Sequence, residues 1–99
     1  MRTDTQWANT PTVIVFTMAT ADLVKREAQR DHIVAALYTK AAQQAQADGN
    51  QVIGDDYRVQ ILPMRRSPLI PERWMPCEPG QEDAVRVLIE RPVIARSIQ

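Results

Sequence analysis

Two side chains have the chemistry of a nucleophile and a base, and each is the single example of its kind: Cys77 and His32. A cysteine hydrolase needs thiol and imidazole within hydrogen-bond reach, with a third group orienting the base. His32 stands beside Asp31 in a helix-forming stretch, while Cys77 lies between Trp74-Met75-Pro76 and Glu78-Pro79. No base flanks the cysteine, and Glu78 opposes thiolate formation. The expectation is no catalytic residue and no enzyme, with His32 on a helix surface and Cys77 as a small packing residue. Asp55 and Asp56 are adjacent, so their side chains diverge, and no ligand cluster follows at a metal-site spacing. Gly49, Gly54 and Gly80 build neither a P-loop nor a dinucleotide fingerprint. Neither metal nor cofactor is expected.

What remains is chemistry of recognition. Arg65-Arg66-Ser67-Pro68-Leu69-Ile70-Pro71 matches Arg-x-x-Pro-x-x-Pro, the pattern in which an extended left-handed helix offers prolines to aromatic grooves and arginine to an acidic pocket. The same segment reads more broadly as a rigid loop docking on another protein, with Arg73 and Trp74, types enriched at interface hot spots, beside Leu69 and Ile70. Arg65, Arg66, Arg73 and Trp74 are also the smallest footprint of a nucleic-acid site, a basic cluster with one stacking ring. Twelve Lys+Arg against twelve Asp+Glu give zero net charge, which counts against that third reading. Neutrality hides a local dipole: Arg65, Arg66 and Arg73 against Glu72 precede the acidic run Glu78, Glu82 and Asp83.

The elements that must position this segment follow from pattern. Residues 1–11 are a polar arm in which Trp7 and Ala8 are the residues to bury. Thr12 to Met18, TVIVFTM, is a continuous β-branched and aromatic run, predicted as a strand covered on both faces. From Ala21 to Asp48 no Pro or Gly interrupts a helix that Thr20 or Asp22 can cap and Gly49 can stop. These 28 residues would span about 42 Å, so the helix must overhang the sheet or kink. Its apolar stripe is Ile33, Leu37 and Ala41, flanked by Val34, Tyr38, Ala42 and Ala45; Ala41 and Ala45 also offer a close approach for a partner helix. QVIGDDYRVQIL reads as two short strands hairpinned about Gly54-Asp55-Asp56, with Tyr57, Val59 and Ile61 on the half-buried face. The final strand alternates Val85, Val87 and Ile89 with Arg86, Leu88 and Glu90, and Pro92 marks an edge, a bulge or a strand end. Between lies Pro63 to Gly80, 18 residues with five of the seven prolines, expected as an extended, ordered loop packed on something.

With 99 residues, 44% hydrophobic and 24% charged, the chain fits one folded domain from residue 12 to 99 beyond the arm. The expected fold is α+β: a mostly antiparallel sheet of about four strands, one long helix packed on it, and the long proline-rich loop. One cysteine allows no internal disulfide, MRTDTQWANTPT has no signal-peptide apolar run, and Val13 to Phe16 is too short to span a bilayer. A cytoplasmic setting without membrane attachment is expected. Ten of twelve basic residues are Arg and twelve residues are Ala, a bias suggestive of a GC-rich bacterial or bacteriophage genome. The functional expectation is a small interaction or structural protein, homo-oligomeric or part of a larger assembly such as a phage particle, and then virion-located. The alternative is an inhibitor or adaptor that binds a host protein through the Arg/Trp/Pro loop. The residues assigned to partner binding are Arg65, Arg66, Leu69, Ile70, Arg73, Trp74, Ala41, Ala45 and Trp7.

Overall fold

A computed structural model describes residues 9–96; Trp7 and most of the N-terminal arm lie outside the described residues. The elements are β1 Thr12–Ala19, α1 Ala21–Lys25, α2 Glu27–Ala47, β2 Asn50–Val52, β3 Arg58–Arg66, β4 Trp74–Pro76 and β5 Ala84–Ala95. Every strand pairing is antiparallel, in the order β1-β5-β3-β4, with β2 also on β5. The α+β architecture expected from the sequence is the one observed.

β5 organises the sheet because its length, 12 residues, lets it pair with three strands. Its alternation is as expected: Val85, Val87, Ile89 and Val93 are buried toward the helix layer, with Val13 and Val15 of β1 beside them. Leu37, Ala41 and Ala45 of α2 cover that row, and both alanines are fully buried. The two alanines therefore do not serve a partner helix. Lacking bulk, they let the helix axis sit close over its own strands.

The helix is not continuous. Arg26 leaves helical geometry (φ −86°, ψ 116°) and divides α1 from α2. The cause is the phase of the apolar residues rather than a breaker. Thirteen residues separate Val24 from Leu37, and at about 100° per residue an unbroken helix would point them about 140° apart. Both are core residues, so the chain re-phases between them. The side chain of Arg30 donates to the Val24 carbonyl at 3.1 Å, which helps to satisfy the interrupted end. Thr20 caps α1 by accepting from the Leu23 amide, and Gly49 ends the helical segment at φ 81°.

β2 and β3 do not form the expected hairpin with each other. Both run antiparallel to β5, with Val52 opposite Val93 and Arg58 opposite Glu90. They lie along one flank of it, because Ile53 N–H reaches the Pro92 carbonyl while Val93 N–H points the other way, to Pro11. The five residues 53–57 bulge out where Pro92 lacks an amide donor. Arg91 fills the space beneath. It is 4% exposed, donates at 3.1 Å to the Tyr38 carbonyl and at 3.0 Å to the Gly54 carbonyl, and lies 3.8 Å from the Tyr38 ring centroid. Tyr57 meets the same ring edge-on at 5.3 Å.

Two faces are more open than the sequence suggests. β1 is covered by the helices on one side only: Val13 and Val15 are buried, whereas Ile14 and Phe16 are 53% and 48% exposed. On the helix side, Tyr57, Val59 and Ile61 are exposed rather than half-buried, because α2 packs over β1, β5 and β2 and leaves β3 uncovered.

Candidate interaction surface

The segment from Pro63 to Gly80 is a projection rather than one long loop. Pro63–Arg66 completes β3, Trp74–Pro76 returns as β4, and the two pair with Arg65 opposite Met75 and Arg66 opposite Trp74. Proline is tolerated at 63 and 76 because the stem needs few donors there: Pro63 supplies a carbonyl to the Cys77 amide, and β4 is an edge. The molecule is long, 50 × 29 × 24 Å, with a radius of gyration of 15.5 Å against about 13 Å for a compact chain of this length.

The tip is built by short-range bonds. Ser67 Oγ accepts from the amides of Leu69 and Ile70 at 3.2 and 3.1 Å. Ile70-Pro71-Glu72-Arg73 closes a turn through Arg73 N–H to the Ile70 carbonyl at 2.8 Å, with proline at the position whose φ it presets. The extended left-handed helix implied by Arg-x-x-Pro-x-x-Pro is therefore absent from this segment, because the serine hydroxyl curls the chain and the turn follows at once. Arg66 donates to the Pro71 carbonyl at 2.9 Å and stacks 4.3 Å from the Trp74 ring centroid. That stack pins the tip to the stem and occupies one face of the indole. The Arg66 amide donates to Asp83, which joins the acidic run to the arm's base.

The side chains assigned to this segment thus converge on one element. Leu69 stands 90% exposed at the tip with Ile70 exposed beside it, bracketed by the exposed Arg66 and Arg73. Arg65 and Trp74 are half-buried in the stem.

A second surface was missed in the sequence because the apolar run of β1 reads as buried on both sides. On the sheet face away from the helices, the register sets Ile14 beside Glu90 and Arg58, Phe16 beside Leu88 and Gln60, and Met18 beside Arg86 and Leu62. Arg86 lies 4.8 Å from the Phe16 centroid, Arg58 pairs with Glu90 at 3.2 Å, and Thr12 donates to Glu90 at 2.7 Å. This face is laced with charge, but its outer column, Ile14 and Phe16, is apolar.

Among the described residues β1 is also the sheet's outer strand. Because Pro11 accepts from Val93, the odd residues Val13, Val15, Thr17 and Ala19 turn their amides and carbonyls toward β5. The even residues Thr12, Ile14, Phe16 and Met18 turn theirs outward. Thr12–Ala19 contains no charge, proline or glycine. The opposite edge, β4, is three residues long and ends in Pro76; natural sheets blunt exposed edges in this way.

His32 and Cys77 are not brought together. His32 lines a groove with Thr17, Ile33 and Lys40 on the β1 side, and Cys77 sits with Arg65 and Met75 at the β4 edge. The Cys77 thiol is pushed above its ordinary value first by desolvation, then by Glu82, with Asp83 and Glu78 adding and Arg65 opposing. Asp55 accepts from the Tyr38 hydroxyl at 3.4 Å in the bulge. Among the described residues no three His, Cys, Asp or Glu side chains gather as a metal site, and no helix is long and apolar enough to cross a membrane. Compared with protein-family models, curated proteins and solved structures, the chain has no match.

Proposed function

We propose that this chain is a non-enzymatic protein-binding component of a larger assembly, and that it docks on a neighbouring protein through the β3–β4 arm. The observation that supports this most is Leu69: a leucine 90% exposed at the end of a tip that serine, proline and an Arg–Trp stack hold in one shape. An isolated exposed leucine is ordinary, but a pre-shaped tip loses little conformational freedom on binding, so its apolar contact is retained as affinity. Arg66 and Arg73 beside it favour a partner with an apolar pocket rimmed by acidic side chains. A bacteriophage particle is the kind of assembly that the arginine- and alanine-rich composition suits.

Photo-crosslinking tests the reading. A benzoylphenylalanine at position 69 should give, in the chain's own source, a covalent adduct of one discrete mass, while the same group at the exposed helix position Gln29 gives none. An adduct with a second copy supports self-assembly, and one with a foreign chain supports an adaptor. No adduct at 69, or the same pattern from both positions, contradicts docking by the arm.

A further inference from the structure

We infer that β1 is a homodimer edge: two copies join their outer strands antiparallel about a two-fold axis at Val15, making one continuous sheet. This goes beyond the arm reading and uses a different surface.

The occupant follows from the edge itself. A two-fold interface sets a patch against itself, so any charge on it meets its like. Thr12–Ala19 has none. Outward amides and carbonyls belong to Thr12, Ile14, Phe16 and Met18. With the axis at Val15, Thr12 falls opposite the second copy's Met18 and Ile14 opposite its Phe16. Each of these pairs, and its symmetry mate, exchanges two backbone hydrogen bonds. The parity also matches, so buried positions align with buried and exposed with exposed. Ile14 and Phe16, 53% and 48% exposed in one chain, become cross-strand neighbours, the pairing of aromatic with β-branched side chains that stabilises sheets.

The helix layer permits the approach. α2 packs over β1 and β5 together. With strands about 4.8 Å apart, the two copies of α2 would lie about 10 Å apart across the axis, a normal helix packing distance. The groove between them would be lined by Thr17, His32, Ile33, Ala36 and Leu37, with Lys40; His32 and Lys40 are exposed at its rim, where each can turn its polar end to water away from the second copy's like residue. The contrast between edges points the same way, since only β4 is short and proline-ended.

Light scattering on three purified chains tests the proposal. The wild type should have twice the 11.2 kDa chain mass. Ile14→Lys with Phe16→Lys sets lysines opposite lysines and should be monomeric. Ile14→Lys with Phe16→Glu sets each lysine opposite a glutamate of the other copy and should remain dimeric. Amide exchange of the wild type gives a second measurement that stands if a variant does not fold: Ile14 and Phe16 should be as protected as Val13 and Val15. A monomeric wild type overturns the proposal, including one whose outward amides are protected, because the edge is then filled from within the same chain. A dimer that survives the double lysine variant overturns it too, and loss of the dimer in the lysine–glutamate variant overturns the register. Leu69→Asp with Ile70→Asp should leave this dimer intact, so failure here and failure of the arm reading show up in different experiments.

Discussion

Arg91 brings a guanidinium into the core with two carbonyls and the Tyr38 ring to receive it. Its two terminal nitrogens tie the bulge at Gly54 to the helix carbonyl of Tyr38, while Nε is buried with no hydrogen-bond partner, so the two carbonyls and the ring offset the cost of burying the cation. Arg91→Ala removes both bonds and the packing of the stem, and should lower the unfolding free energy by about 3 kcal/mol in a denaturant titration. Arg91→Met keeps the stem and should lose less; equal losses would mean that the two bonds contribute little. Cys77 gives a second residue-scale expectation. Desolvation and Glu82 raise its pKa, so less thiolate is present at mildly alkaline pH and alkylation should run slower than for free cysteine. Glu82→Gln removes an anion and should speed it; alkylation as fast as free cysteine would contradict this environment. The charge around Cys77 was partly legible, since Glu78 is its sequence neighbour. Glu82 and Asp83 follow close behind it, but their approach depends on the turn that Gly80 allows at φ 96°.

At the scale of elements, period-2 alternation was enough to identify β5, and the absence of breakers was enough to expect a long helix. A kink was one of the two outcomes that the helix length allowed, but its place at Arg26 was hidden because no glycine or proline marks it, although the phase of Val24 against Leu37 contained it. Val24→Ala should cost about 2 kcal/mol in the same titration. A neutral result would mean that Val24 faces water on an unbroken helix. The Gly54-Asp55-Asp56 stretch bends the chain out and back without reversing it, so the expected tight turn is replaced by a bulge between two strands that run the same way: turn-favouring residues report that the chain bends and not that it reverses. β5, long enough to pair with β2 and β3 end to end, takes both. The apolar run of β1 was ambiguous for a related reason. Strand periodicity places side chains on two faces, but what covers each face is decided by tertiary packing, and the single helix layer covers one.

For the whole molecule, the proline-rich segment and the arm it became show how far composition reaches. Prolines, Trp74 and two isolated apolar residues announced a segment unlike a free linker, while the pairing of Arg65 with Met75 and the stack of Arg66 on Trp74 emerge only in three dimensions. Ala41 and Ala45, offered as a partner surface, are consumed by the core, and the outward-looking apolar groups include Leu69 and Ile70 at one end, Ile14 and Phe16 at one edge, and Val59 and Ile61 on the uncovered β3. The central claim is that the arm tip holds this chain in an assembly. Its most direct test is sedimentation of the tagged chain in an extract of its own source, wild type beside Leu69→Asp with Ile70→Asp. The account predicts that the wild type travels in a larger particle and that the variant, folded as judged by an unchanged melt, is released from it; wild type and variant sedimenting alike would contradict it.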